Sequence, residues 1–141
     1  MKEFSHILDQ LPYAQPFRFV DKLDKVDTEG ASGSYTFPEN SDFYRGHFKD
    51  HPVTPGVILT ECMAQIGLVC LGSYLLEMAG KNQSALKIAF TESHVHFEKP
   101  VFPGETVFVR SEKIYWRMGK LKCRVYMHNS NGERVCHGEM S

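Results

Sequence analysis

The chain has no basic run. Its 16 Lys and Arg are balanced by 17 Asp and Glu, leaving a formal net charge of −1, which argues against the bulk phosphate neutralisation on which non-specific nucleic-acid binding depends. It has no C-x-x-C motif among its four cysteines, Cys62, Cys70, Cys123 and Cys136, so a redox pair or thiolate zinc finger is not indicated and free thiols are expected. No apolar core follows Met1-Lys2-Glu3-Phe4-Ser5-His6, so an export signal is not expected. Nor is there an unbroken apolar stretch of the ~18 residues that a membrane span uses, because residues 56–79 are interrupted by Glu61, Gln65, Gly67, Gly72, Ser73 and Glu77. Repeats, low-complexity tracts and a composition shift that would mark a second domain are also missing. At 141 residues the chain is expected to fold as one domain, 1–141, with a sizeable core, and to be cytoplasmic.

What is present is one long apolar segment flanked by strand-like stretches. From Gly56 to Ala79 the residues are mostly Val, Ile, Leu, Met, Cys, Ala and Gly, which as a helix would be apolar nearly all round and therefore buried. Residues 86–97, 106–116, 121–127 and 135–140 alternate or favour β-branched and aromatic side chains. They are separated by Pro103-Gly104, Met118-Gly119 and Asn129-Ser130-Asn131-Gly132, and Asn-Gly is a strong hairpin signal. Before the helix, residues 17–26 and 31–37 read as two more strands joined by a turn at Thr28-Glu29-Gly30. About six strands around one helix predict an α+β fold, with a long central helix wrapped by a curved antiparallel sheet.

The helix carries two polar residues one turn apart. Glu61 and Gln65 at i, i+4 share a face. A carboxylate in an apolar interior must find partners, stay protonated or do chemistry; a plain alternative is a Glu that reaches a solvated edge or makes a structural hydrogen bond. Upstream, Gly46-His47-Phe48-Lys49-Asp50-His51-Pro52-Val53-Thr54-Pro55-Gly56 is a histidine-bearing loop shaped by two prolines, each of which also pushes its predecessor toward extended backbone. Pro55 stands where a missing N–H costs nothing at the start of a helix, and Gly56 lets another group approach the backbone closely. A helix N-terminus with a glycine amide suits a developing oxyanion. His47, the Gly56 amide and Glu61 are together the parts of an acid–base site.

Two competing chemistries are weaker. His47, His51, His94 and His96 raise the question of zinc, and His94-Val95-His96 on a strand would put both rings on one face, but further ligands and their supporting groups are not evident; no metal is expected. Cys62 beside Glu61 lacks a neighbour placed to lower its pKa as a nucleophile requires, and Cys62 and Cys70 are most simply small core residues.

The stretch from Gly46 to Gln65 resembles the signature G-H-F-P-x-H/K-P-x-x-P-G-V-L-x-x-E-A-M-A-Q of the bacterial (3R)-hydroxyacyl-acyl carrier protein dehydratases of the FabZ type. Leu11-Pro12 with Pro16-Phe17 and Val20-Asp21 is similar to that family's opening L-P-H-R-x-P-F-L-L-V-D. Phe97-Glu98-Lys99-Pro100-Val101-Phe102-Pro103-Gly104-Glu105 is similar to its F-x-x-P-V-x-P-G-D, and Gly138-Glu139-Met140 to its closing strand. The resemblance covers nearly the whole chain. It implies a hot-dog fold, with His47 and Glu61 as the catalytic histidine and carboxylate, the Gly56 amide as the donor to the thioester carbonyl, and Gln65 as the support of the carboxylate. Glu61 rather than Asp marks the branch that dehydrates without isomerising. Three positions depart from the pattern: Lys49-Asp50 for Pro-Gly, Thr54 for an apolar residue, and Tyr13-Ala14 for His-Arg.

The resemblance further implies dehydration of (3R)-hydroxyacyl-acyl carrier protein to the trans-2-enoyl product in fatty acid or related polyene or lipid synthesis. No cofactor would be needed. Acyl carrier protein would be the partner, with Arg45, Lys49, Lys99, Arg110, Arg117, Lys120 and Lys122 as candidate docking cations. It also implies a homodimer, possible further assembly as a trimer of dimers, and a site in which His47 of one subunit faces Glu61 of the other. The alternatives are a hot-dog acyl thioesterase and a non-catalytic acyl-binding subunit of a heterodimer.

Overall fold

The computed structural model describes residues 4–47, 50–80 and 91–141. A short helix, Ser5–Asp9, leads into strands β1 (Lys22–Val26) and β2 (Ala31–Thr36), a 3-10 turn (Asp42–Arg45), the central helix (Gly56–Met78), and strands β3 (Ser93–Phe97), β4 (Thr106–Arg117), β5 (Lys120–Asn129) and β6 (Arg134–Met140). The strands form one antiparallel sheet in the order β1-β2-β4-β5-β6-β3. The expected α+β architecture is present, and β1 and β3 are the sheet's two edges. Of the strand expected over residues 86–97, residues 86–90 lie outside the described residues.

Turn chemistry sets the registers. Met118 and Gly119 both adopt positive φ (52° and 75°), the geometry of a two-residue hairpin whose twist matches that of its strands, and they bring Arg117 opposite Lys120. At the first hairpin the Asp27 carboxylate accepts the amides of Glu29 and Gly30 at 2.8 and 3.1 Å, a side chain standing in for a backbone turn.

Burial explains the helix. Leu59, Cys62, Met63, Ala64, Gln65, Ile66, Val69, Cys70, Leu71 and Leu75 are buried on it, and Val107, Val109, Val125, Met127, Val135 and Cys136 face them from the sheet. Each fully buried aliphatic side chain contributes about 1.5–3 kcal/mol. A Cβ at Gly67 would lie 2.9 Å from Val125 Cγ1 and 3.1 Å from Ser111 Cβ, so glycine there lets β4 and β5 close onto the helix backbone. The polar interruptions do not shorten the helix: at 23 residues it is long and apolar enough to cross a bilayer by length and composition alone, but 61% of its most apolar window is buried within the protein. Its middle, Ala64–Val69, is π-helical, a form that concentrates at functional sites.

The expected strand over residues 17–26 is shorter than its sequence pattern, with only Lys22–Val26 paired. The reason lies in the hydrogen bonds of the preceding residues. Phe19 N–H donates to Gln65 Oε1 at 2.7 Å, and Phe17 C=O accepts from Gln65 Nε2 at 2.9 Å, so an amide side chain on the helix replaces a neighbouring strand.

Candidate active site

The site is built from the N-terminal half of the central helix outward. Pro55 caps the helix with extended backbone, and its carbonyl accepts the first intrahelical bonds, from Ile58 and Leu59 at 2.9 and 3.1 Å. The Gly56 and Val57 amides therefore stand ahead of that ladder, at the end where helix geometry supplies no intrahelical acceptor and the dipole is positive. A Cβ at Gly56 would come within 3.1 Å of the Phe97 ring, so glycine admits β3 to this corner.

Gln65 is fully buried and every arm of its amide is used. Besides its two bonds to Phe17 and Phe19, Nε2 donates to Glu61 Oε2 at 2.9 Å. The half-buried Glu61 is thus oriented by a neutral donor that is itself fixed to the backbone. Glu61 opens on a cleft of about 570 Å³ lined by Gly56, Val57, Thr60, Glu61, Ser93, Val95 and Phe97, between the helix and the inner side of the edge strand β3. Tyr13 is electrostatically close: burial and the Glu61 charge push its phenol up to about 12, so it stays neutral and a donor.

His47 is held by a separate set of bonds. Its amide donates to Phe43 C=O at 3.1 Å and its carbonyl accepts from Val53 N–H at 2.9 Å, while its ring Nδ1 lies 3.1 Å from Val53 C=O. A carbonyl only accepts, so Nδ1 carries the proton and the lone pair of the neutral ring is on Nε2. His47 is not among the residues lining the Glu61 cleft. Its partner Val53 lines an adjacent hollow of about 320 Å³ with Thr54, Gly56, Leu59, Phe97, Glu98, Lys99 and Pro100. Within one chain Glu61 and Gly56 line one cleft, with Gln65 bonded to Glu61, while Val53, the partner of His47, lines the adjacent hollow with Gly56 and Phe97.

The remaining candidates sort by burial and pairing. All four cysteines are buried, and burial pushes the Cys62 thiol well up while its Sγ donates to Phe19 C=O at 3.4 Å, the opposite of an activated nucleophile. His94 and His96 share the outer, exposed face of β3, with rings 5.2 Å apart and His137 stacked 5.4 Å beyond. Among the described residues no group of three or more His, Cys, Asp or Glu side chains is arranged to hold a metal. Of the candidate docking cations, Arg45, Lys99, Arg110 and Lys122 each sit within 4 Å of a carboxylate, those of Asp42, Glu133, Glu112 and Glu139, and Arg117 lies over the Tyr115 ring. Lys49 is outside the described residues.

Sequence reasoning missed one feature of this corner. Tyr44 Oη and Thr54 Oγ1 form a buried hydrogen bond across the His47 loop. Thr54 in place of an apolar residue was the available signal.

Comparison with known proteins gives the family and the fold. A FabA-like domain model matches residues 11–139. The 3-hydroxyacyl-[acyl-carrier-protein] dehydratase FabZ of Caldicellulosiruptor saccharolyticus is 36% identical over 99% of this chain and 96% of its own length. That of Bacillus licheniformis is 32% identical over 99% and 94%. Among solved structures, the dehydratase heterocomplex ApeI:P from Xenorhabdus doucetiae has the same fold, with a TM-score of 0.78 at 14% identity over 95% of this chain and 87% of that one. The PaaI protein of E. coli matches at a TM-score of 0.63 and 15% identity over 98% and 92%. The hot-dog fold, the match along residues 11–139 and the full-length identity to FabZ dehydratases lead to one conclusion: the chain belongs to the FabA-like family, among its FabZ-type members.

Proposed function

We propose that the protein removes water from (3R)-hydroxyacyl-acyl carrier protein to give the trans-2-enoyl thioester, using His47, Glu61 and the Gly56 amide. The observation that carries this reading is the fixed Gln65 amide, which holds Glu61 at the mouth of a cleft that opens along an edge strand. His47 Nε2 takes the α-proton, and the Gly56 N–H at the positive helix end receives the charge developing on the thioester oxygen, an interaction worth roughly 3–4 kcal/mol per donor in comparable sites. The electron pair of the broken Cα–H bond becomes the Cα=Cβ bond, the Cβ–O bond breaks, and protonated Glu61 gives its proton to the departing hydroxyl, so that water leaves. Proton return from His47 to Glu61 resets the site, and the two proton transfers need no cofactor.

The cleft fits a homodimer in which β3 edges meet and His47 of one subunit reaches Glu61 of the other; further assembly into a trimer of dimers is compatible with it. The partner in turnover is acyl carrier protein, with Arg45, Lys49, Lys99, Arg110, Arg117, Lys120 and Lys122 as its candidate docking cations, and a soluble cytoplasmic enzyme of fatty acid or related lipid synthesis fits this role. The direct test is enoyl-thioester formation from 3-hydroxyacyl-acyl carrier protein by the purified protein, monitored by absorbance of the conjugated product. Activity lost in His47→Ala and in Glu61→Gln, with circular dichroism unchanged, supports the reading. Release of free thiol without enoyl product assigns the thioesterase chemistry instead. Inactivity alone, cured only by a second, different hot-dog chain, assigns a subunit of a heterodimer.

A further inference from the structure

We infer that the buried Tyr44–Thr54 hydroxyl pair is a clasp that positions His47, fixing the ring's tautomer and its place relative to Gly56. This rests on the reading of His47 as the base and adds two positioning residues to it.

Both residues are 5% exposed, and a Phe with a Val would fill the same space without taking two hydroxyls out of water, a cost that only a well-made hydrogen bond offsets. The bond they make joins position 44 to position 54, and His47 falls between them in the sequence. The two carbonyls that hold His47 belong to the immediate neighbours of the clasp: Phe43, next to Tyr44, accepts the His47 amide, and Val53, next to Thr54, accepts the ring Nδ1. Thr54 is itself anchored, its amide donating to Val101 C=O at 2.8 Å, and two residues later the chain enters the helix at Gly56. The ring of Tyr44 is braced by an edge contact with Phe43, centroids 4.6 Å apart. Burial also raises the Tyr44 phenol above its ordinary value, so it remains a neutral donor or acceptor across the working pH range. Opening the clasp frees Val53 C=O to move relative to Phe43 C=O. That relaxes the selection of the Nδ1–H tautomer, and a misplacement of about 1 Å at a reacting group costs up to about a hundredfold in rate.

The test uses the full-length protein with 15N-labelled histidine, the His47 ring being identified by its loss in His47→Ala. In the wild type, long-range 1H–15N correlations should show one neutral tautomer with the proton on Nδ1. Tyr44→Phe and Thr54→Val should each give mixed or exchange-broadened tautomers and a kcat lowered on the order of tenfold or more with KM little changed, whereas Thr54→Ser, which keeps the hydroxyl, should retain both wild-type properties. The double variant Tyr44→Phe/Thr54→Val should be no worse in kcat than either single, since both singles remove the same bond. Single variants that melt at lower temperature yet keep one His47 tautomer and wild-type kcat overturn the clasp. If Thr54→Val does not fold, Tyr44→Phe, which removes a single oxygen, decides the matter. The spectroscopic arm also separates the two claims: altered tautomers in Tyr44→Phe alongside a wild type that forms no enoyl product support the clasp and overturn the dehydratase reading.

Discussion

Glu61 on the central helix and Glu98 just past β3 have surroundings that differ in every respect that matters for proton transfer. Glu98 is gripped by the Arg134 fork at 2.7 and 2.9 Å and by His137 Nδ1 at 3.1 Å. Chiefly through Arg134, its carboxyl is held down at about 2, so it is a fixed anion with no proton to give near neutrality. Glu61 is oriented by the Gln65 amide, which adds no positive charge, and it borders a cleft of about 570 Å³. A histidine and a glutamate in direct contact, Glu98 with His137, are therefore the structural pair. The pair proposed for catalysis, Glu61 with His47, occupies separate elements of one chain. Proximity within a subunit is a poor guide to acid–base function in a fold whose cleft opens along a sheet edge.

The sharpest way to break that comparison is to neutralise both pairs in parallel. His47→Ala and Glu61→Gln should each lower the rate of enoyl formation by roughly 10²–10⁴-fold, the usual worth of a general acid or base. Glu98→Gln and His137→Ala should leave it within about twofold, as expected of a solvated network. Comparable losses at Glu98 would make it part of the machinery.

That His47 and Glu61 are held by separate elements, with separate bonding partners, leads to the next expectation. Co-expressed His47→Ala and Glu61→Gln chains should form mixed dimers in which one site carries both lesions and the other none. Such dimers should recover up to about half of the wild-type activity per dimer, although each parent is inactive. Native mass spectrometry would verify the mixed species; if they are present and as inactive as the parents, each site is drawn from one chain.

Gln65 tests the supporting shell with a smaller effect. Gln65→Leu keeps the volume but strands Phe19 N–H and Phe17 C=O and removes the donor to Glu61. Unsatisfied buried groups of this kind cost about 1–3 kcal/mol each, so urea unfolding should show a loss of roughly 2–6 kcal/mol together with lower kcat. An unchanged unfolding midpoint would mean that solvent or a shifted strand replaces the amide.

These contrasts also mark what could be read from the residues alone. The helix start at Pro55-Gly56, the Glu61–Gln65 spacing and the hairpins at Met118-Gly119 and Asn131-Gly132 were legible because each depends on local chemistry: a missing N–H, an i, i+4 face, a positive φ. What was not legible depends on distant partners. Residues 17–21 look like strand, but Gln65 takes the Phe17 C=O and the Phe19 N–H. The alternation in β3 puts Ser93, Val95 and Phe97 on one face without saying that this face lines the cleft with Glu61. The π-helical turn over Ala64–Val69 has no signature in a run of small and aliphatic residues, and the Tyr44–Thr54 bond joins positions whose only hint was one polar residue among apolar ones.

The smallest effect concerns Glu98 itself. The Glu98 carboxyl sits at about 2 in the folded protein against an ordinary value of 4.5, a depression caused first by Arg134. A depressed carboxyl contributes stability that is fully present above the unfolded value and lost as pH falls through the folded one. Wild type should therefore be more stable than Glu98→Gln above about pH 5, and that margin should shrink between pH 4.5 and 2. Because the Glu98, Arg134 and His137 side chains are 36%, 45% and 29% exposed, water screens the pair and the margin is small. Added salt should reduce it further, as the Debye length falls from about 10 Å at 0.1 M to about 3 Å at 1 M. Urea midpoints of both proteins at several pH values and two salt concentrations measure this directly. A margin that stays constant to the lowest pH at which both proteins fold, or that ignores salt, would mean that Glu98 acts through packing rather than charge, and the contrast with Glu61 would then rest on geometry alone.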